Sequence, residues 1–587
     1  MNFIGRRRFV QGLAASGLLV PWVDIANAAG TRFGSPDVLR GTEFDLVIDE
    51  VPVNFTGRPV MATTVNGSFP GPTLRFREGE TVTIRVTNRL RETTSIHWHG
   101  LILPYQMDGV PGISFAGIPA GGSFTYRFRV QQRGSYWYHS HSGFQEMRGL
   151  YGSIVIDPAQ SPRLGEDRDF TVLLSDWSDE DPMRIMAKLK VQGDYYNHHR
   201  PTAIDFARDV SATSLEAALA RRRMWNEMRM SPTDLADVSS ATLVHLVNGC
   251  APDGNWTGLF KRGESVRLRL VNGSGNTFYD LRIPGLPLRV VEVDGQAIEP
   301  VTVDEFRFGP GETCDVVVHP DEDVYTLFAQ TMDRSGYARA TLAVREGLAA
   351  PTPALDKIEW LTMADMMGAM DHGPMAGMQG MQAADDGMEG MQGMQPMDHG
   401  AHAGQPPDLL AVPSSRARHA RTEYGPGTDM RVDMARTNLD DPGVGLRNNG
   451  RRVLSIADMK TVGGSADIRT PTREIELHLT GNMERYTWSF DGVEFGSSTP
   501  VHFRHGERLR VIMHNDTMMT HPMHLHGMWS DVETADGDFQ VRRHTVPIQP
   551  AQRVSFRVTA DAPGRWAWHC HLMLHMDAGM FREVVVA

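Results

Sequence analysis

Polar and apolar residues alternate through most of the chain. TVTIRVTN (81–88) and SFTYRFRV (123–130) put every second side chain on an apolar face, as a half-buried strand requires. Between about residues 40 and 160 such runs are separated by Gly/Pro-rich turns like NGSFPGP. The style returns at about 165–346 with SVRLRLVNGS and TCDVVVHP, and at about 446–587 with RLRVIMHND and RVSFRVTADAPG. One signature recurs in all three regions: FREGETVTIRVTN, FKRGESVRLRLVN and FRHGERLRVIMHN share Phe, then Gly-Glu, then alternation, then Asn. Three copies predict an all-β protein of three related antiparallel sandwiches, at residues 36–160, 161–350 and 446–587.

Two stretches break the alternation. Residues about 179–236 (EDPMRIMAKLK… SLEAALARRRMWNEMRM) read as helical and predict an insertion in the second domain. Residues 351–445 contain MADMMGAMDHGPMAGMQGMQAADDGMEGMQGMQPMDHGAHAG, which has almost no β-branched or aromatic residues. Such a composition cannot bury a core, so a flexible Met/His-rich linker is expected there.

At 587 residues the chain is too long for one core, in line with several domains. The net charge of -13 leaves no basic surplus for phosphates and argues against nucleic acid as a partner. The N-terminus, residues 1–28, reads as a signal peptide: Arg6-Arg7-Arg8-Phe9, a short apolar run, then Ala26-Asn27-Ala28. Arg-Arg-x-Phe points to twin-arginine export, an ordinary secretory signal being the alternative. No other run has the length of a membrane span, so a soluble periplasmic protein without stable membrane insertion is expected. Cys250, Cys314 and Cys570 are an odd set for an oxidising compartment. The first two could pair; Cys570 needs another explanation.

That explanation starts from histidine. His-x-His occurs four times, at 97–99, 139–141, 524–526 and 569–571, where 23 histidines placed at random give roughly one. On a strand, residues i and i+2 share a face and i+1 takes the other. His569 and His571 can therefore serve one metal site while Cys570 serves another, joined by a few covalent bonds. A thiolate with two imidazoles and a weak axial methionine makes an electron-transfer copper site. His521, His575 and Met580 stand near Cys570 in HPMHLHG and HCHLMLHMDAGM to complete it.

The motifs HWHG, WYHSH, HPMHLHG and HCHLMLHMDAGM, in this order and at the two ends of the chain, resemble the multicopper oxidases. Within that family the chain is most similar to the copper resistance protein A branch, which shares the insertion, the Met-rich stretch and the export signal. The resemblance implies three cupredoxin-like Greek-key domains and four catalytic coppers. His521, Cys570, His575 and Met580 would hold the type 1 ion, and His97 and His524 the type 2 ion. The type 3 pair would take His99, His139 and His571 on one side and His141, His526 and His569 on the other. Substrate oxidised at the type 1 ion would supply electrons through Cys570 to reduce dioxygen to water. Asp108 matches the family's acid near the cluster and is the candidate proton relay, with an Asp-Gly turn as the alternative. A second acid common in the cuprous oxidases is replaced here by Met576, followed by Asp577.

The substrate reading rests on methionine, of which the chain has 33. Thioethers suit Cu(I), and Met363, Met366, Met367, Met370, Met375, Met378, Met381, Met388, Met391, Met394 and Met397 recur through the linker. His372, His399 and His402 add donors that also suit Cu(II). A smaller set, Met224, Met228 and Met230, reads as helix packing. The expectation is a monomeric periplasmic oxidase of Cu(I), using dioxygen, in copper tolerance, with further copper on the linker and a periplasmic copper-handling partner. A laccase-like oxidase of phenols and a copper-sequestering binding protein are the alternatives.

Overall fold

A computed structural model describes residues 36–160, 165–368 and 410–587. The signal peptide and Met370–His402 of the linker lie outside the described residues. Six sheets form three two-sheet sandwiches in chain order. The three signature repeats occupy equivalent central strands. Thr81–Asn88 runs parallel to Glu43–Val53 and antiparallel to Ser123–Arg129. Val266–Asn272 lies likewise between Arg168–Trp177 and Thr313–Val318, and Arg508–Asn515 between Glu474–Asn482 and Arg553–Thr559.

Each conserved position of the repeat has a physical task. Phe76, Phe260 and Phe503 are buried. Gly79, Gly263 and Gly506 turn with φ of +88°, +81° and +80°, a region where a Cβ is strained. Glu80, Glu264 and Glu507 fold back to accept from the backbone N–H of Arg77, Lys261 and Arg504. The closing asparagines are fully buried, and each Nδ2 donates to two backbone carbonyls. Asn88 reaches Glu92 and Ile118, Asn272 reaches Thr277 and Phe308, and Asn515 reaches Met519 and Ile548. The repeat is a clamp for the loop that leaves the strand.

The insertion is helical, with helices Pro182–Val191, Ala203–Ala212 and Leu215–Met228, capped by Asp181, Thr202 and Ser214. Met230 is buried, and Met224 and Met228 pack at the core's edge. The insertion rests on the third domain: Trp225 and Met230 share a cavity wall with Met483, and Arg229 pairs with Glu484.

Two expectations change. The linker's described flanks are not loose: Met363–Met367 is a short helix with a Thr362 capping box, and Met366, Met430 and Val432 are buried. Met366 is a packing residue because its side chain fills the core rather than facing water. Val453–Leu454, within the expected third domain, adds a parallel strand to the second domain's sheet at Glu305–Phe308. Cys314 is a buried free thiol, so no disulfide joins it to Cys250.

Candidate metal centre

The four His-x-His pairs meet where the first and third sandwiches face each other. His97–His99 pairs with Gly134–His139, aligning His97 with His139. His521–Leu525 pairs with Gly564–Cys570, aligning His524 with His569 and Met523 with Cys570. Trp98 turns to the opposite face and is buried in the first domain's core. Across the domain boundary His97 stacks on His526 at 3.9 Å and His99 on His524 at 3.8 Å between ring centroids. His141 sits 4.9 Å from His569, and His139 is 5.1 Å from His571. All eight histidines are thus in one cluster, and His141, His526 and His569 converge as one potential ligand set.

On most of these rings one nitrogen is fixed by the protein and the other is not. The Nδ1 atoms of His97, His139, His524 and His569 face the backbone carbonyls of Asp108, Ser140, His544 and Cys570 at 2.7–3.1 Å. His526 Nδ1 lies 2.9 Å from Asp108 Oδ2, and His99 Nε2 lies 3.1 Å from Thr545 Oγ1. Opposite these, Nε2 of His97, His139 and His524 and Nδ1 of His99 are buried without hydrogen-bond partners, as is Nε2 of His141, while Nε2 of His526 and of His569 face each other at 3.0 Å. Leaving so many polar atoms unpaired is costly unless something binds them. One nitrogen oriented and the other open is how proteins prepare imidazole for a metal. Burial and neighbouring imidazoles hold His99, His139, His141, His524, His526 and His571 well below the usual histidine range, in the neutral form a metal takes.

The second centre lies on the other face of the same strand. Cys570 Sγ is 3.5 Å from His521 Nδ1 and 3.7 Å from His575 Nδ1, and the two nitrogens are 3.1 Å apart. Met580 is fully buried, and its backbone bonds to Cys570 N and His575 O. Burial pushes the Cys570 thiol up, so the thiolate forms there only with a cation beside it. Trp488 stacks on His575 at 3.8 Å, and His521 Nε2 is held by Thr517 Oγ1.

Sequence reasoning did not find four residues that frame these centres. Asp237, just past the insertion, lies 2.8 Å from His575 Nε2. Glu146 lies 2.5 Å from His139 Nδ1, and burial pushes its carboxyl well up. His544 packs against His99 and His524, and a Cβ on Gly100 (φ +79°) would come within 2.5 Å of its ring, which explains the glycine in HWHG. Asp294 of the second domain pairs with Arg543 at 2.7 Å and accepts from the backbone of His544 and Thr545. Asp108 itself fits both expectations: Gly109 turns at φ +85°, and the carboxylate reaches His97 at 3.2 Å and His526 at 2.9 Å.

Comparison with known proteins agrees with this geometry. Multicopper oxidase family models match residues 48–161, 168–347 and 469–587. The chain is 54% identical to Copper resistance protein A of Pseudomonas syringae pv. tomato, over 99% of both chains. It is 51% identical to Copper resistance protein A of Escherichia coli, again over 99% of both. Among solved structures it resembles Fet3p, a multicopper oxidase that functions in iron import, with TM-score 0.63 and 18% identity over 93% of this chain and 90% of that one. That likeness supports the three-sandwich fold. The imidazole and thiolate donors, with their unpartnered nitrogens, fit copper. The chain belongs to the multicopper oxidase family and is a copper-dependent oxidoreductase.

Proposed function

We propose that this chain is a periplasmic oxidase that converts Cu(I) to Cu(II) at the expense of dioxygen, and so serves copper tolerance. The observation that carries the reading is Cys570 between His569 and His571, linking a Cys/His centre to an eight-histidine cluster within one strand. His521, Cys570, His575 and Met580 would hold the type 1 ion, and His97 and His524 the type 2 ion. The type 3 ions would fall to His99, His139 and His571, and to His141, His526 and His569. Bound copper supplies one-electron oxidation of substrate at the first centre and four-electron reduction of dioxygen to water at the second. The curated relatives at 54% and 51% identity carry the name Copper resistance protein A, which supports the tolerance role.

The chain's own groups divide the remaining work. The backbone of residues 569–571 gives a short covalent path between the two centres. Asp108, touching His97 and His526, is positioned to hold a proton at the cluster, where dioxygen reduction consumes four. Met576 replaces the family's second acid, and Glu146 brings a buried carboxyl to the cluster instead. Asp237 orients His575 from the side covered by the insertion.

His521, Cys570 and His575 are fully buried. A cavity of about 470 Å³ between the insertion and the third domain is lined by Trp225, Met230 and Met483 together with Arg200, Arg221, Arg222 and Arg229. Deleting residues 370–399 tests the substrate: cuprous oxidation should fall while oxidation of a phenol holds or rises. Unchanged cuprous activity would remove the Met-rich segment from the account. Sequestration, the reading from another class, is favoured if cells carrying Cys570→Ser keep their copper tolerance. No helix among the described residues is long and apolar enough to cross a membrane.

A further inference from the structure

A second assembly of histidines and carboxylates lies outside both centres, on the third domain. Glu476 and His478 alternate along Glu474–Asn482 and so share a face, and the register sets His478 beside His514 of the parallel strand Arg508–Asn515. Residues 418–424 cross this face and bring His419 and Glu423, while Asp516 follows the second strand. His419 Nδ1 lies 2.7 Å from Glu423 Oε2 and 3.5 Å from Asp516 Oδ2. His478 Nδ1 lies 2.7 Å from Asp516 Oδ2 and 3.5 Å from Glu423 Oε2. Two nitrogens and two oxygens therefore interleave at 2.7–3.5 Å, close to the 3.1–3.7 Å separations of the donors around Cys570.

With its imidazoles neutral, this assembly carries two uncompensated carboxylates. Glu423 and Asp516 are fully buried, and their ion-pair partners among the described residues are His419 and His478, with no lysine or arginine. Balancing the two carboxylates by protonating His419 and His478 would place two charged imidazoles with their rings 4.7 Å apart. A third ring, His514, stacks flat on His478 at 4.5 Å. His514 is 2% exposed and neither ring nitrogen has a hydrogen-bond partner, though its Nε2 points at the Glu476 carboxylate that His478 Nε2 also faces, each at 3.3 Å. His419 Nε2 is likewise without a hydrogen bond, 3.4 Å from the solvent-exposed carboxylate of Asp433, which offers a way in from water.

We propose that His419, His478, Glu423 and Asp516 form a further metal site for one borderline divalent cation, Cu(II) by preference and Zn(II) as its competitor. One dication neutralises both carboxylates and leaves all three imidazoles neutral. Four donors around such an ion lie about 3.3–3.5 Å apart, a short adjustment from the present geometry. The set lacks sulfur, so it suits Cu(II) and Zn(II) and discriminates against Cu(I), and Cu(II) heads the affinity series.

Crystals of the copper-loaded, full-length protein soaked in Zn(II) should show anomalous density at the zinc edge, bonded to these four residues at about 2.0–2.2 Å. Dialysed His419→Ala and Glu423→Gln should each retain one equivalent less of added Cu(II) or Zn(II) than the unaltered protein. Both should keep the blue colour and dioxygen uptake, which separates loss of the site from loss of the fold. Absence of density among the four residues in the unaltered protein, with equal stoichiometry in the variants, would overturn the proposal and leave a network of protonated histidines.

Discussion

At the scale of single residues, the sequence reads best where strand period dictates geometry. His-x-His pairs on strands share a face, so the eight cluster histidines and the opposite placement of Cys570 follow from spacing alone. Asp237, Glu146 and His544 are different. Each reaches its partner by packing between elements far apart in sequence, and a lone Asp, Glu or His carries no periodic signal. Cys570→Ser should abolish the blue absorption and dioxygen uptake while the histidine cluster still binds copper, as metal analysis would reveal. Asp108→Asn keeps the shape but removes a group that can hold and release a proton. Dioxygen uptake should fall by about 10²–10⁴-fold with the blue colour retained. A rate within twofold of the unaltered protein would remove Asp108 from proton delivery. Asp237→Asn should reduce activity or type 1 copper affinity about 10–100-fold, the usual effect of losing a carboxylate behind a ligating histidine.

At the scale of elements, the Phe…Gly-Glu…Asn signature was legible as a repeat, but its purpose became clear only in three dimensions. Alternation identified the strand; the buried asparagine clamps could not be inferred, because their carbonyl partners lie as far as 36 residues away. The same limit applied to the linker. Its composition rightly marks residues that cannot build a core, yet the flanks are recruited into cores supplied by other segments, as Met366 and Val453–Leu454 demonstrate. The second domain reaches the cluster through Asp294 and Glu312, which hold Arg543 and the start of the strand Thr545–Ile548 in the third domain. Arg543 is 3% exposed and held between Asp294 and Glu312. Asp294→Ala would leave that guanidinium short of one buried partner and free the backbone that orients His524. A loss of about 3–5 kcal/mol is expected from thermal or denaturant unfolding, together with weaker copper binding by the histidine cluster.

At the scale of the whole molecule, the centre lies between the first and third sandwiches, so binding copper and holding the domains together are one process. Burial holds the pKa of His544 and His569 down at about 4, and His99, His139, His141, His524, His526 and His571 are pushed the same way. A histidine depressed in the folded state adds stability that is present above its unfolded value near 6.5 and lost as pH falls toward the folded value. Buried acids such as Glu312, raised to about 7, pull in the opposite direction, but they are fewer. The copper-free protein should therefore melt at a lower temperature at about pH 5 than at about pH 7; equal Tm values would contradict this. The central claim concerns chemistry, and dioxygen uptake tests it most directly. The copper-loaded protein supplied with Cu(I) under air should consume one dioxygen for every four Cu(I) oxidised, and Cys570→Ser should consume none. Uptake with phenols alone, or Cu(I) bound without dioxygen consumed, would contradict the assignment of this chain as a cuprous oxidase.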